Sequence, residues 1–258
     1  HLFSCGVTAD AAALAERVQA QGHALEVGED LSATYQNAVL ALCRQARDIL
    51  RGKFPAPVLL QVLVPAQGPQ QVLAGLAGLV RSLRHEQPRL IAQLVAVESG
   101  HTVEQLAEWL RGDAAQPHDQ HIRHLDGQRQ VAAWQEVEAP ALQPLWKAQG
   151  VYLVTGGLGG LGRIFAADIA RHAPGATLVL TGRRELDDAG RQQLRELEAM
   201  GATATYHAID ASDRSAVRQA LLQIREDHGT LDGILHSAGV IQDSLLLRKT
   251  EEQTPAVL

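Results

Sequence analysis

The sequence predicts an α/β protein whose strands form doubly wound parallel sheets. Short apolar runs alternate with segments whose apolar residues recur at helical spacing, and this alternation is typical of a parallel sheet covered by helices. In addition, a glycine-rich loop follows directly on one apolar strand and opens a helix, which is the local context of a nucleotide-binding turn.

Residues 1–149 are predicted to form one α/β unit. The strand-like runs are 2–5, 24–27, 58–64 and 90–98, and the helical patterns are 9–21, 36–51, 70–85 and 101–112. The last of these helices opens on Thr102 with Gln105 three residues on, a capping-box pattern. Residues 121–137 are expected to form one or two strands around Asp126-Gly127, a hairpin-type dipeptide.

This first unit is predicted to bind no cofactor. Its strand-to-helix turn is Ala66-Gln67-Gly68-Pro69, which has too few glycines to hold a pyrophosphate. Pro69 also lacks an N–H where donors are needed. We therefore expect a structural unit of similar architecture that carries no nucleotide.

After a proline-containing linker at 139–149, the pattern becomes sharper. The predicted strands are 151–155, 177–181, 203–209 and 231–236, and the helices between them are 160–172, 188–200 and 213–228, with a partial helix at the end. These elements are the first half of a doubly wound fold, in which the first strand is central. Residues 150–258 are therefore predicted to be a dinucleotide-binding unit, incomplete at its C-terminus.

The candidate binding loop holds five glycines in the eight residues from Thr155 to Gly162. The residues assigned to the cofactor here are Thr155, Gly157, Leu158, Gly159, Gly160, Leu161 and Gly162. We expect Gly157 to permit the tight turn, Gly159 to let the backbone approach the pyrophosphate, and Gly162 to let helix pack on strand. The helix N-terminus would supply free N–H groups to the phosphates.

The helix after this loop is expected to bury one apolar face. That face is predicted to comprise Leu161, Ile164, Phe165 and Ile169, which recur at helical spacing. A glycine-rich turn without a ligand is the alternative to a binding loop, and the strand and helix that flank the loop argue against it.

Arg183 and Arg184 follow the next strand, where the ribose of a dinucleotide is read. A guanidinium matches a 2′-phosphate in charge and in fork geometry, so this pair predicts NADPH rather than NADH. The alternative is a pair of solvated arginines in a loop.

Two further strand ends complete the predicted site. Asp210 and Ala211 end the third strand near the expected adenine, and Asp210 is equally interpreted as a cap for the following helix. Ser237, Ala238 and Gly239 end the fourth strand, where small residues let a cofactor lie close to the backbone.

Composition and charge exclude several classes of function. The formal net charge of −6 makes nucleic acid an unsuitable partner, and no apolar run reaches the ~20 residues of a membrane helix. Two cysteines, Cys5 and Cys43, fit a reducing cytoplasm. No metal site is predicted, because His118, His121 and His124 fall in loop-like and strand-like sequence rather than on one helix face.

Together these residues resemble the short-chain dehydrogenase/reductase superfamily, whose Thr-Gly-x-x-x-Gly-x-Gly pattern is met at 155–162. His236-Ser237-Ala238-Gly239, Gly182-Arg183-Arg184 and the segment 233–244 are similar to the ketoreductase domains of modular polyketide synthases. The stretch 73–79, followed by Glu86-Gln87-Pro88, looks like the structural subdomain that precedes the catalytic one in that family. The runs 150–153 and 201–206 favour systems whose acyltransferase is a separate protein.

The resemblance implies a Rossmann fold and NADPH-dependent reduction of a β-ketoacyl chain. The chain would be carried on the phosphopantetheine arm of an acyl carrier protein, beside neighbouring polyketide synthase domains, in the cytoplasm. A Tyr, a Lys and a Ser would handle the carbonyl and its proton. A stand-alone reductase of small carbonyls and a catalytically silent pseudo-ketoreductase that acts as a scaffold are the alternatives.

The family's Tyr-x-x-x-Lys pair is absent from the sequence. The tyrosines are Tyr35, Tyr152 and Tyr206, and none has a lysine four residues on. We assign no catalytic residue and expect the family's Ser, Tyr and Lys beyond Leu258. Asp243 matches the last Asp of a Leu-Asp-Asp motif that marks B-type ketoreductases, and it is equally interpreted as a helix N-cap.

The chain is also expected to be a piece of a longer polypeptide. Strand 231–236 would lie at the edge of its sheet, and Leu231, Ile234 and Leu235 would be left uncovered on it. Leu245, Leu246 and Leu247 would add further apolar surface. We therefore expect that residues 1–258 are not an autonomous folding unit.

Overall fold

The computed structural model describes residues 1–7, 10–25, 27–52, 56–138, 145–239, 244–246 and 248–250. The chain divides into two compact units, His1–Glu136 together with Gln242–Leu258, and Val137–Ile241. The predicted functional boundary at 149/150 stays a prediction. Within the described residues, every helix is too short or too polar to cross a lipid bilayer.

The first unit is a six-stranded sheet with helices between its strands. Its strands are β1 Leu2–Cys5, β2 Gly22–Leu25, β3 Val58–Pro65, β4 Leu90–Val97, β5 His121–Leu125 and β6 Gln128–Val131. Its helices are α1 Ala11–Arg17, α2 Leu31–Arg51, a 3₁₀ helix Pro69–Leu76, α3 Ala77–Glu86 and α4 Val103–Ala114. The order β2-β1-β3-β4-β5-β6 is parallel except for the final antiparallel pair, which confirms the predicted α/β class.

Local sequence signals in this unit are confirmed at two places. Thr102 and Gln105 form the reciprocal capping box that opens α4. Asp126 and Gly127 both have positive φ, 52° and 71°, as a two-residue hairpin turn between β5 and β6 requires.

Three predicted helices differ from the structure in length or type. The helix predicted at 36–51 begins earlier, at Leu31, where Asp30 caps it. The 70–85 pattern is a 3₁₀ helix before it becomes α-helical at Ala77, and Pro69 stands at its first position. Gly75 lies against the Tyr35 ring in this segment, where a Cβ would come within 2.9 Å of the Tyr35 hydroxyl. The predicted helix 9–21 is confined to α1, and Gln19, with φ of 53°, turns the chain soon after its end.

Two glutamines form a polar pair inside this sheet. Gln61 on β3 and Gln93 on β4 are buried, and Gln61 Nε2 donates to Gln93 Oε1 at 3.0 Å. Gln61 Nε2 also lies 2.8 Å from the Leu110 carbonyl oxygen. Gln93 Nε2 lies 2.9, 3.0 and 3.1 Å from the carbonyl oxygens of Asp113, Gln116 and Asp119. The pair thus satisfies backbone acceptors at the end of α4 and in the turn after it.

A buried carboxylate lies beside these glutamines. The side chain of Asp113, which is fully buried, has His124 Nε2 at 3.0 Å from Oδ2 and Arg129 Nε at 2.7 Å from Oδ1. The Trp109 ring stacks on His124 at 4.5 Å, and Arg129 also reaches Asp119. This cluster ties α4 to the β5–β6 hairpin. His121 and His124 lie on strand β5, so the expected strand is confirmed here.

The second unit is a four-stranded parallel sheet. Its strands are β7 Val151–Thr155, β8 Thr177–Gly182, β9 Thr203–Ala208 and β10 Gly233–His236. Its helices are α5 Gly160–His172, α6 Asp188–Ala199 and α7 Arg214–His228. The order β10-β7-β8-β9 places the first strand centrally, as predicted for a doubly wound fold.

The predicted apolar face of α5 is wrong in three of its four residues. Ile169 is buried, but Leu161, Ile164 and Phe165 are 64%, 63% and 40% exposed. The face that packs on the sheet is made mainly of small residues, namely Gly162, Ala166, Ile169 and Ala170. Small side chains let α5 lie close to the sheet, and helical spacing alone does not distinguish that face from an apolar face in solvent.

The predicted edge strand is confirmed, since β10 is at the end of the sheet and Ile234 is 56% exposed. The expectation that Leu231 and Leu235 are also uncovered is wrong, because both are partly buried against core residues of the second unit. Leu245 is 54% exposed as expected, whereas the expectation for Leu246 is wrong. Leu246 is buried in the core of the first unit, and its N–H donates to the Glu86 carboxylate at 2.9 Å. Linker residues 139–144, Asp243, Leu247 and the predicted helix at 255–258 lie outside the described residues.

Candidate functional site

The predicted site residues gather at one edge of the second sheet. They lie in four loops, 155–162, 183–187, 209–213 and 237–239, which follow β7, β8, β9 and β10. Because these strands are parallel and nearly in register, with Thr155 beside both Thr181 and His236, their carboxyl ends meet. Ligands of open parallel sheets bind at such an edge.

The tight turn of the glycine loop is made by Gly156, not by Gly157 as predicted. Gly156 has φ of +65°, and a Cβ on it would lie 2.8 Å from the Ser237 carbonyl oxygen. Gly157 has a different requirement, because its Cβ would lie 2.8 Å from Leu180 Cβ. Both positions therefore exclude side chains, one through backbone conformation and the other through contact with β8.

The last three glycines of the loop differ in how much space a Cβ would find. A Cβ on Gly162 would touch the Gly156 carbonyl oxygen and lie 2.7 Å from Gly157 Cα, as expected for close helix packing. A Cβ on Gly159 would lie 3.1 Å from the Gly156 oxygen. Gly160 has no protein atom within 4 Å of its Cβ position, so it borders open space.

Helix α5 begins without a side-chain cap. Five of the seven α-helices that the structure describes have one, from Asp10, Asp30, Thr102, Asp187 and Asp213. The exceptions are α3, which continues a 3₁₀ helix, and α5, whose N-cap is Gly159. The backbone N–H groups at the start of α5 are thus left for an external acceptor, and a pyrophosphate supplies such acceptors.

Neighbouring strands hold the glycine loop in place. The Gly157 N–H donates to the Thr181 oxygen at 3.1 Å, and Gln193 Nε2 of α6 donates to the Gly157 oxygen at 3.3 Å. On the other side, Thr155 Oγ1 lies 2.7 Å from His236 Nδ1, and the Ser237 N–H donates to the Thr155 oxygen at 3.0 Å. The loop is therefore a preformed cradle.

The two leucines of the glycine loop, Leu158 and Leu161, differ in burial. Leu158 packs on the core of the second unit, and its Cδ1 would lie 3.0 Å from a Cβ on Gly190. Its side chain therefore anchors the loop. Leu161 is exposed beside the open start of α5.

Arg183 and Arg184 form an exposed turn directly after β8. The Tyr206 hydroxyl of β9 donates to the Arg184 carbonyl oxygen at 2.5 Å. This contact was not foreseen from the sequence, because it joins residues 22 positions apart through a main-chain atom. The two arginines add positive charge to the edge that holds the glycine cradle.

Asp210 is not the cap of α7, because Asp213 is. Asp210 Oδ1 accepts hydrogen bonds from Ser212 N at 2.9 Å and Ser212 Oγ at 2.8 Å. These bonds, and then the positive charge of Arg183, hold the pKa of Asp210 below its ordinary value. The carboxylate stays ionised and lies close enough to attract Arg183.

Small residues line the remaining strand ends. Ala211 lies in the turn between Asp210 and α7. Ala238 N would be 2.9 Å from a Cβ on Gly156, and Gly239 borders open space. No large side chain from 237–239 covers the glycine loop, so the residues present fit a dinucleotide stretched across this edge.

Comparison with known proteins identifies the family. Residues 150–258 match the family model described as KR domain. Over these residues the chain is similar to KR domains. The chain is also 37% identical over 232 residues to polyketide synthase PksL of Bacillus subtilis (strain 168), and 34% identical over 232 residues to PksN of the same organism. Each alignment covers 89% of the chain.

Solved structures agree with this assignment and confirm the predicted resemblance. A ketoreductase domain from the bacillaene assembly line superposes with a TM-score of 0.86 at 30% identity, over 99% of this chain and 62% of that one. A C2-type ketoreductase from a modular polyketide synthase, at 18% identity and a TM-score of 0.70, shares the fold. The chain spans 5% of the length of PksL and 4% of that of PksN.

Proposed function

We propose that this chain forms the NADPH-binding part of a β-ketoacyl reductase within a polyketide synthase. The observation that carries the proposal is the glycine cradle at the uncapped start of α5, with Arg183 and Arg184 on the adjacent strand end. The cradle suits a pyrophosphate and the arginines suit a 2′-phosphate. The similar ketoreductase domain from the bacillaene assembly line supports the reaction class, and the relatives, which are polyketide synthases, support the setting.

NADPH, when bound, supplies a hydride for the reduction of a carbonyl. The residues of this chain would bind and orient the nucleotide: the start of α5 holds the pyrophosphate, Arg183 and Arg184 hold the 2′-phosphate, and the 237–239 backbone leaves room beside it. We propose a β-ketoacyl chain on the phosphopantetheine arm of an acyl carrier protein as substrate. Other domains of the synthase would be its neighbours. The catalytic Ser, Tyr and Lys are still predicted to lie beyond Leu258.

The experiment that tests this proposal is a fluorescence titration with NADPH and with NADH. It uses the full-length domain, meaning this chain extended over the length of the solved ketoreductases that it matches. Arg183→Ala should weaken NADPH binding by roughly ten- to a hundredfold, the worth of one charge-assisted pair, and leave NADH binding nearly unchanged.

Arg195→Ala is the matched control, because Arg195 is an exposed arginine on α6 that binds the side-chain oxygen of Gln192. It should leave both affinities unchanged. Equal losses for the two nucleotides in Arg183→Ala would contradict the assignment of the arginines. Failure of the unsubstituted domain to bind either nucleotide would favour a scaffold.

A further inference from the structure

The position of Tyr206 links the core of the second unit to the arginine turn. Tyr206 lies on β9 opposite Leu180 of β8, and its ring packs partly on the core of this unit. Its hydroxyl emerges at the sheet edge and donates to the Arg184 carbonyl oxygen. Arg184 is the second residue after the end of β8, so this one bond reaches the middle of the turn.

The backbone at Gly182 is shaped around this hydroxyl. A Cβ on Gly182 would lie 2.8 Å from Tyr206 Oη, but 3.6 Å from the nearest ring carbons. The steric conflict is therefore with the hydroxyl alone. The Gly182 oxygen accepts from the Ile209 N–H at 2.8 Å, which extends the β8–β9 ladder to the start of the turn.

The hydroxyl is a donor at neutral pH, and its surroundings favour this protonated state further. Burial, followed by the negative charge of Glu185, raises the pKa of Tyr206, and Arg184 opposes this change. The phenol therefore stays protonated at neutral pH. Asp210 lies close enough to Arg183 for the guanidinium charge to contribute to lowering the pKa of this carboxylate.

We infer that Tyr206 is a positioning residue that sets cofactor specificity: its hydroxyl fixes the turn so that Arg183 and Arg184 present their charges to the 2′-phosphate of the cofactor adenosine. This inference rests on the proposed function. It assigns the preference for NADPH over NADH partly to a residue that does not itself contact the phosphate. The arginines supply the charge, and the hydroxyl determines where that charge lies.

The first test is Tyr206→Phe in the full-length domain, with NADPH and NADH titrated separately. The dissociation constant for NADPH should rise about three- to tenfold, the worth of one neutral hydrogen bond, and that for NADH should change less than about twofold. The specificity ratio, rather than stability or turnover, is the readout.

Tyr152→Phe is a matched control. Tyr152 is buried in the same sheet, and its hydroxyl accepts from the Lys147 N–H at 2.6 Å at the amino end of β7, away from the site edge. Loss of this hydroxyl removes a comparable tyrosine–backbone bond. The melting temperature of Tyr152→Phe should fall, and the ratio of its dissociation constants for NADPH and NADH should match that of the unsubstituted domain.

Gly182→Ala supplies an independent test through a double-mutant cycle. The added Cβ should displace the hydroxyl and reproduce the specificity loss of Tyr206→Phe. In the Tyr206→Phe background the nearest ring atoms would be 3.6 Å away, so Gly182→Ala should cause no further loss. Non-additivity of this kind identifies a shared mechanism.

The outcomes separate the inference from the proposed function. Absence of NADPH preference in the unsubstituted domain would overturn both. A preference for NADPH that survives Tyr206→Phe unchanged would overturn the inference alone, as would additive effects of Tyr206→Phe and Gly182→Ala. Loss of specificity in both single variants and no further loss in the double variant would support it.

Discussion

The two glycines at the start of α5 allow stability and binding to be separated. In Gly162→Ala the methyl group would meet the Gly156 oxygen and the Gly157 Cα, which are backbone atoms that cannot rotate away. Overpacking of this kind costs about 1–3 kcal/mol, while alanine regains up to about 1 kcal/mol of helix propensity. We expect a net loss of about 1–2 kcal/mol, or a fall of about 2–8 °C in melting temperature.

Gly160→Ala should have the opposite effect on stability. Its Cβ would meet no protein atom and its φ is not positive, so alanine should stabilise the fold by about 0.4–1 kcal/mol. The same methyl group would occupy the open space assigned to the pyrophosphate. We therefore expect NADPH affinity to fall at least about tenfold in a protein that melts at the same or a higher temperature.

Thermal melting and NADPH titration of the two variants check this reasoning. Retention of full NADPH affinity by Gly160→Ala would refute the placement of a phosphate against residue 160. An unchanged melting temperature in Gly162→Ala would refute the close packing of α5 on the glycine loop.

Three further predictions concern the first unit. Asp113→Ala should lower the free energy of unfolding by about 3 kcal/mol in urea titrations, because it leaves Arg129 and His124 without their buried partner. The control is Asp188→Ala at an exposed ion pair, and an equally small loss in both variants would contradict this prediction. Burial raises the pKa of Cys5 to about 12, so the folded protein should resist thiol alkylation at pH 9. Because the thiol of the unfolded chain ionises first, the free energy of unfolding should decrease as the pH rises above about 9. Rapid labelling of Cys5 without unfolding would count against this. The turn at 66–69 should bind no nucleotide, since Pro69 opens its 3₁₀ helix without an N–H. Nucleotide density at that turn in a structure of the full-length domain with NADPH would contradict this.

The sequence predicts most of the elements because their signals are local. The capping box at Thr102 and the hairpin at Asp126-Gly127 each depend on residues within four positions of one another. The strand order of the second sheet follows from the glycine loop, which marks the central strand. The four loops of the candidate site then come together because parallel strands end at the same edge.

What the sequence does not predict depends on distant partners. Whether Phe165 or Ala166 faces the sheet is decided by how closely α5 approaches it, and spacing along the helix does not contain that distance. The close approach of residues 237–238 to Gly156 joins positions some 80 residues apart along the chain, so no local pattern predicts it. The Tyr206 contact escapes prediction for the same reason, since a main-chain acceptor carries no sequence signature.

The Gln93 side chain has a consequence for how this fold tolerates changes in length. Its amide nitrogen is close to three carbonyl oxygens spread over residues 113–119. A residue inserted into or deleted from this segment would leave some of these carbonyl oxygens without a hydrogen-bond donor. At the hairpin tip, the Asp126 N–H donates to Glu98 Oε2 at 2.8 Å in an exposed contact, which solvent can replace, and a Cβ on Gly127 would meet nothing. A reporter peptide or affinity tag is therefore better placed at 126–127 than between α4 and β5.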